Sequence, residues 1–163
     1  MFPRIICALL LLFYVAGTQA EEPGSDTRDR LTFVFGPYVY HYHYDVNHND
    51  TPWLTGFEWG PQGWWADIGA VYFENSFSQP SVYVYAAKRW FVRDDEQGPY
   101  LKLTGGPLYG YRGQYENRVP FNHNGLAWGI IPGIGYQYHS VDAQLVILGT
   151  SALLLTFGYD FSR

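Results

Sequence analysis

Residues 152–161 read Ala152-Leu153-Leu154-Leu155-Thr156-Phe157-Gly158-Tyr159-Asp160-Phe161, and their alternation decides the fold. Successive side chains of a β-strand point to opposite faces. Leu153, Leu155, Phe157, Tyr159 and Phe161 therefore share one face, and Ala152, Leu154, Thr156, Gly158 and Asp160 the other. The first set suits lipid and an interfacial aromatic belt; the second suits a lumen. The segment before it repeats the pattern, with Val141, Ala143, Leu145 and Ile147 on one face and Asp142, Gln144, Val146 and Leu148 on the other. That inner face turns from polar to apolar along its length, so the lumen is expected to hold apolar matter and not water alone.

Working back toward the N-terminus, period two persists to Leu31, broken by turn clusters such as Gly60-Pro61-Gln62-Gly63, Arg93 to Gly98, and the long polar run from Arg112 to Asn124. Eight strands are expected, at about 31–43, 52–60, 63–74, 81–92, 98–111, 125–135, 137–149 and 152–161. Short turns alternating with longer loops are the rhythm of an up-and-down barrel. The fold class is all-β: an eight-stranded antiparallel transmembrane barrel of the outer-membrane kind, following a cleaved signal peptide. Eight strands enclose side chains or one small ligand, which excludes a wide pore.

Composition agrees. The chain has 163 residues, with 15 Tyr, 11 Phe and 6 Trp among them, a net charge of −5, and Lys88 and Lys102 as its two lysines. The mean hydropathy of −0.18 looks water-soluble, but it averages over two opposed faces of every strand. A soluble lipocalin-type barrel is the alternative; it would carry far more surface charge. The negative charge excludes a broad basic surface, so no nucleic-acid partner is expected. One cysteine, Cys7, excludes a disulfide framework.

Residues 1–20 read as a signal peptide: Arg4 supplies the positive charge, Ile5 to Val15 the apolar run, and Gly17-Thr18-Gln19-Ala20 the small-residue cleavage site. The run is too short for a spanning helix, which needs about 20 apolar residues. Residues 21–30 form a polar leader, and 31–163 the single barrel domain.

Three groups of residues are candidates for function. The first runs from Tyr40 through His41, Tyr42, His43, Asp45 and His48 to Asp50. Period two puts His41 and His43 on one face. Histidines at that spacing with carboxylates nearby suit a zinc site, a general base near neutral pH, or plain rim residues among interfacial aromatics. The second is Asn75-Ser76 in Glu74-Asn75-Ser76-Phe77-Ser78, which carries no Gly-x-Ser-x-Gly elbow. The third is a set of prolines at or inside strands: Pro37, Pro107, Pro120 and Pro132. Proline cannot donate to a ladder, so these mark strand ends or places where neighbouring strands part.

At these residues the sequence resembles the PagP-type lipid A palmitoyltransferases, in their divergent non-enterobacterial branch. The resemblance runs through Val39-Tyr40-x-x-His43, His48-Asn49, Asn75-Ser76-Phe77-Ser78-Gln79, Tyr83-Val84-Tyr85-Ala86-x-Lys88-Arg89-Trp90, Gly110-Tyr111-Arg112-Gly113, Ile130-Ile131-Pro132 and Leu145-x-Ile147-Leu148-Gly149. It implies an outer-membrane barrel that moves a palmitoyl-type chain from a glycerophospholipid donor to lipid A. No metal and no cofactor are implied. The family's rim His falls on His43, with His41 as competitor, and its Asp-Ser pair on Asn75 and Ser76, so an Asn stands where the family has an Asp. The implied acyl-chain pocket is Leu108, Val146, Leu148 and Leu154, and the implied lateral gate lies beside Pro37, Pro107 and Pro132. The expected setting is a monomer inserted by the barrel-assembly machinery. A second reading is a non-catalytic barrel binding or transporting a small phosphorylated solute such as glycerol-3-phosphate, with Lys102 and Arg89 turned inward as the phosphate-holding cations.

Overall fold

The computed structural model describes residues 29–42 and 52–162. The signal peptide and nearly all of the leader lie outside these residues, as do His43, Asp45, His48 and Asp50. Eight strands form one closed antiparallel barrel in chain order: β1 Arg30–His41, β2 Leu54–Gly60, β3 Asp67–Glu74, β4 Pro80–Phe91, β5 Gly98–Tyr109, β6 Leu126–Tyr138, β7 Val141–Leu148 and β8 Ala152–Asp160. Among the described residues there is no α-helix; a 3-10 turn at Gly113–Arg118 interrupts the β5–β6 loop.

The alternation read in the sequence is the alternation observed. Along β8, Ala152, Leu154, Thr156, Gly158 and Asp160 are buried while Phe157 and Tyr159 are exposed. The outward face of the wall is apolar: Leu101, Leu103, Trp128, Ile130 and Phe57 are all exposed, Ile130 at 77%. A contiguous apolar surface of this kind is made for lipid, not water. That disposes of the lipocalin-type alternative, which would turn these side chains inward.

Several details of the strand reading need correction. The turn between β6 and β7 lies at His139-Ser140, not at residue 136. Gln137 stays in the strand with its side chain turned inward, and its Nε2 donates to the carbonyls of His139 (2.9 Å) and Val141 (3.3 Å). His139 itself takes the left-handed conformation that the tight turn requires, at φ 51°. The barrel also begins one residue earlier than expected, at Arg30, and β3 begins at Asp67 because residues 61–66 form the connecting turn.

The two ends differ. At the lower end, where both termini of the barrel lie, the connections are 61–66, 92–97 and 139–140; at the upper end, two of the connections, 42–53 and 110–125, are long. The two longest connections thus gather at one end, as in outer-membrane barrels.

The ladder is incomplete in three places, each at a proline. The β1–β8 register shifts between Phe35 and Tyr38, around Pro37. The β4–β5 pairing runs from Val82↔Tyr109 and Tyr83↔Leu108 to Ala86↔Gly105, skipping the rungs that would include Gly106 and Pro107. Pairing of β6 with β7 begins at Gly133↔Val146, so Leu126 to Pro132 have no rung to β7.

Candidate functional site

The site forms at the upper rim, where β1 delivers a histidine and the β3–β4 turn a serine. His41 closes the β1–β8 ladder opposite Ala152. Its Nε2 stands 2.7 Å from Ser76 Oγ, and both residues are half-buried. With Nε2 unprotonated the serine hydroxyl donates to it, which is the geometry by which a base activates a nucleophile. Of the two histidines singled out in the sequence, the described residues thus bring His41 to Ser76; His43 lies outside them.

Asn75 builds the turn that presents Ser76. It is 2% exposed. Its Oδ1 accepts from the backbone N–H of Phe77 (2.9 Å) and of Gln79 (3.1 Å), and its Nδ2 donates to Ser81 Oγ at 3.1 Å. The backbone closes the same loop, with Asn75 N donating to Gln79 O and Ser78 N to Asn75 O. This is how an Asn side chain substitutes for ladder bonds in a tight turn. The turn packs closely: a Cβ on Gly110 would stand 2.1 Å from Ser81 Oγ.

A second element holds the turn from outside. Gln79 makes a reciprocal pair with the backbone of Arg112, its Nε2 donating to the carbonyl at 3.3 Å and its Oε1 accepting from the N–H at 2.9 Å. Phe77 stacks on Tyr115 with ring centroids 4.0 Å apart, and the Arg118 guanidinium lies over Phe77 at 5.4 Å. The β5–β6 loop is thereby fastened to the residues on either side of Ser76. Tyr111, at the base of that loop, is buried enough to push its phenol pKa up to about 12.

Beneath His41 and Ser76 the lumen opens into an apolar cavity. Leu108, Val146, Leu148 and Leu154 all line it, together with Val71 and Phe73, and Asn75 and Ser76 stand at its mouth. Its lower end is polar. Tyr83 and Tyr85 stack with centroids 4.7 Å apart. The Tyr85 hydroxyl donates to Glu58 Oε1 at 2.7 Å, and Lys102 closes an ion pair on the same oxygen. Below this layer Arg30 and Arg89 both pair with Asp67, and Tyr100 donates to Asp142 at 3.1 Å. Lys102 and Arg89 do face inward, but each is matched by a carboxylate.

Sequence reasoning did not single out Glu58, Asp67 or Gln79. Glu58 had a signal: it lies between the aromatics Phe57 and Trp59 in a period-two strand, so it must face the lumen when they face lipid. Asp67 and Gln79 had none, because their partners lie 22 and 33 residues away on other elements.

Fold and site together define a small membrane β-barrel that is closed at one end by charged side chains and open at the other through an apolar cavity with a His–Ser pair at its mouth. No protein-family model matches the chain, and no curated protein matches it in sequence. Among solved structures, the N-terminal beta-barrel domain of Pseudomonas aeruginosa OprF is similar over 82% of this chain and 97% of that one, at 12% identity and a TM-score of 0.44.

Proposed function

We propose that this protein is an outer-membrane acyltransferase that moves a fatty acyl chain from a glycerophospholipid to lipid A. The observation that carries the reading is the 2.7 Å contact between His41 Nε2 and Ser76 Oγ at the mouth of an apolar cavity. In this reaction His41 takes the Ser76 proton as Ser76 Oγ bonds to the ester carbonyl carbon of the donor. The bond from that carbon to the glycerol oxygen breaks, and the proton passes from His41 to that oxygen, releasing a lysophospholipid. A lipid A hydroxyl then gives its proton to His41 as its oxygen bonds to the acyl carbon; the bond from that carbon to Ser76 Oγ breaks, and His41 returns the proton to Ser76 Oγ. Asn75 acts by shaping the turn. The donor's tail lies along Leu108, Val146, Leu148 and Leu154, and lipids enter where the ladder is interrupted beside Pro37, Pro107 and Pro132. The resemblance noted in the sequence points to the same chemistry and to a palmitoyl-type donor.

The solute-binding alternative requires inward cations available to a phosphate. Lys102 and Arg89 are instead engaged by Glu58 and Asp67, and this favours the acyl-transfer reading.

The test is mass spectrometry of lipid A from cells with and without the gene. An added acyl chain is expected, and an unchanged acylation pattern refutes the proposal. His41→Ala and Ser76→Ala are expected to leave a folded barrel with transfer reduced at least about 100-fold, the lower end of what positioned general-base groups contribute. His43→Ala alongside them decides between the two histidines. Free fatty acid in place of acylated lipid A would make the protein a hydrolase.

A further inference from the structure

The outer face of the barrel carries a cation where lipid is expected. Side chains of β4 alternate, so Val84, Lys88 and Trp90 point away from the lumen while Tyr85 and Arg89 point into it. Lys88 pairs with Leu103 and Trp90 with Leu101 on the neighbouring strand, and both leucines and Trp90 are exposed. Among the described strand residues Lys88 is the one lysine or arginine on this face; Arg30, Arg89 and Lys102 are turned to carboxylates. Lys88 makes no hydrogen bond or ion pair among the described residues. A charge on a lipid-facing strand is costly at the bilayer centre and tolerated near the interface. A long lysine stem lets the charge reach the headgroups from there. Lys88 stands three residues above the lower end of β4, within reach of that interface.

The wall beside it is notched. Pairing of β3 with β4 starts at Asp67↔Ala87, so Lys88 to Phe91 have no rung on that side. A recess opens there, lined by Trp64 and Trp65 from the β2–β3 turn and by Lys88, Arg89 and Phe91 from β4. The turn is well held. Asp29 accepts from Trp59 Nε1 at 3.4 Å and from the Gln62 N–H at 2.9 Å, and the Trp64 N–H donates to the Pro61 carbonyl at 3.2 Å. Trp64 and Trp65 are nevertheless 44% and 58% exposed, as befits indoles seated at a membrane–water interface. The charged residues lining the recess are Arg30, Lys88 and Arg89 against Asp67 and Glu96. Arg30 engages both carboxylates, reaching Glu96 at 3.5 Å, and Arg89 shares Asp67 at 3.3 Å. The positive charge left unmatched is that of Lys88.

We propose that this recess binds one anionic glycerophospholipid from the leaflet at the lower end of the barrel. Lys88 holds the headgroup phosphate in a charge-assisted hydrogen bond. Trp64 and Trp65 pack at the level of the glycerol, and the acyl chains run up the apolar wall beside Leu101 and Leu103. A single unmatched cation selects a lipid of net negative charge over a zwitterion, whose own ammonium already answers its phosphate. The site lies at the opposite end of the barrel from His41 and Ser76 and does not rest on the acyl-transfer reading.

Native mass spectrometry of the folded protein with phosphatidylglycerol and with chain-matched phosphatidylcholine tests this. One phosphatidylglycerol is expected per barrel, held about fivefold more tightly than phosphatidylcholine, which corresponds to the ~1 kcal/mol that one lysine supplies at an anionic headgroup surface. Lys88→Gln should abolish the preference and Lys88→Arg should keep it. Arg93→Gln removes the same charge from the exposed β4–β5 turn, where Arg93 pairs with Asp95, and should leave the preference in place. Equal binding of the two lipids by the wild-type protein overturns the proposal without any variant. A preference that survives Lys88→Gln, or that Arg93→Gln weakens as much, overturns it as well. Release of the bound phosphatidylglycerol by millimolar inorganic phosphate would mark a site for free anions and not for a lipid, and so would also overturn it.

Discussion

Replacing Lys102 by methionine isolates the energetics of the charged layer inside the barrel. The Glu58 side chain is 3% exposed and that of Lys102 8%. With the ammonium gone, the carboxylate keeps one neutral donor, the Tyr85 hydroxyl at 2.7 Å. Removing one member of a buried ion pair costs about 3–5 kcal/mol, because the remaining charge is left uncompensated. Glu58→Leu alone strands the ammonium and is expected to cost a similar amount. The double variant Glu58→Leu/Lys102→Met removes both charges and fills the space with apolar side chains, a replacement that ranges from neutral to stabilising. Its residual cost is the Tyr85 hydroxyl left without an acceptor, about 1–3 kcal/mol. The two single changes should therefore sum to about 6–10 kcal/mol while the double change costs about 1–3, a coupling of at least about 3 kcal/mol. The assay is reversible urea unfolding in lipid vesicles followed by tryptophan fluorescence. Single variants within about 1 kcal/mol of wild type, or a double variant as costly as the sum, would show that water reaches this layer and that it is not a floor.

Three further outcomes follow from the rim. Gln79→Ala removes both hydrogen bonds to the Arg112 backbone, so limited trypsin digestion should cleave after Arg112 or Arg118 several-fold faster than in wild type while the strands remain intact; an unchanged rate means the aromatic stack alone holds the loop. Asn75→Ala leaves the Phe77 and Gln79 N–H groups without their acceptor and should lower stability by about 2–3 kcal/mol in urea unfolding, whereas Asn75→Asp keeps both bonds and should cost under about 1.5 kcal/mol; equal losses would count against the turn. Tyr111, pushed up to about 12 by burial, holds its proton more tightly in the folded barrel than in the unfolded chain. Its contribution is complete below pH 10 and is lost as pH rises toward 12. Tyr111→Phe should flatten the loss of stability measured between pH 10 and 12, and an unaltered slope would refute that assignment.

The facing of β7 and β8 was legible because both strands keep period two without interruption, and a lipid-facing wall leaves no ambiguity about which side is apolar. The β6–β7 turn was misread because Gly133, Gly135 and Tyr136 look like a turn, while the real one, His139-Ser140, contains no glycine or proline. At the rim, period two grouped His41 with His43 but had no means of ranking them; what puts His41 against Ser76 is the register that pairs it with Ala152. The commitment of the Asn75 amide to its own turn depends on backbone N–H directions that sequence does not encode. The ion pairs of the lower lumen join residues 22 to 44 positions apart, and strand order alone does not say which carboxylate meets which cation.

The paired charges that fill the lower lumen also make the barrel an electrical insulator. Glu58 with Lys102, and Asp67 with Arg30 and Arg89, set fixed charges of both signs across the lumen, and an ion entering there would have to shed its water and break into these pairs. A voltage imposed across a planar bilayer containing this protein would fall across that thin layer of side chains, and no steady current would flow through the barrel.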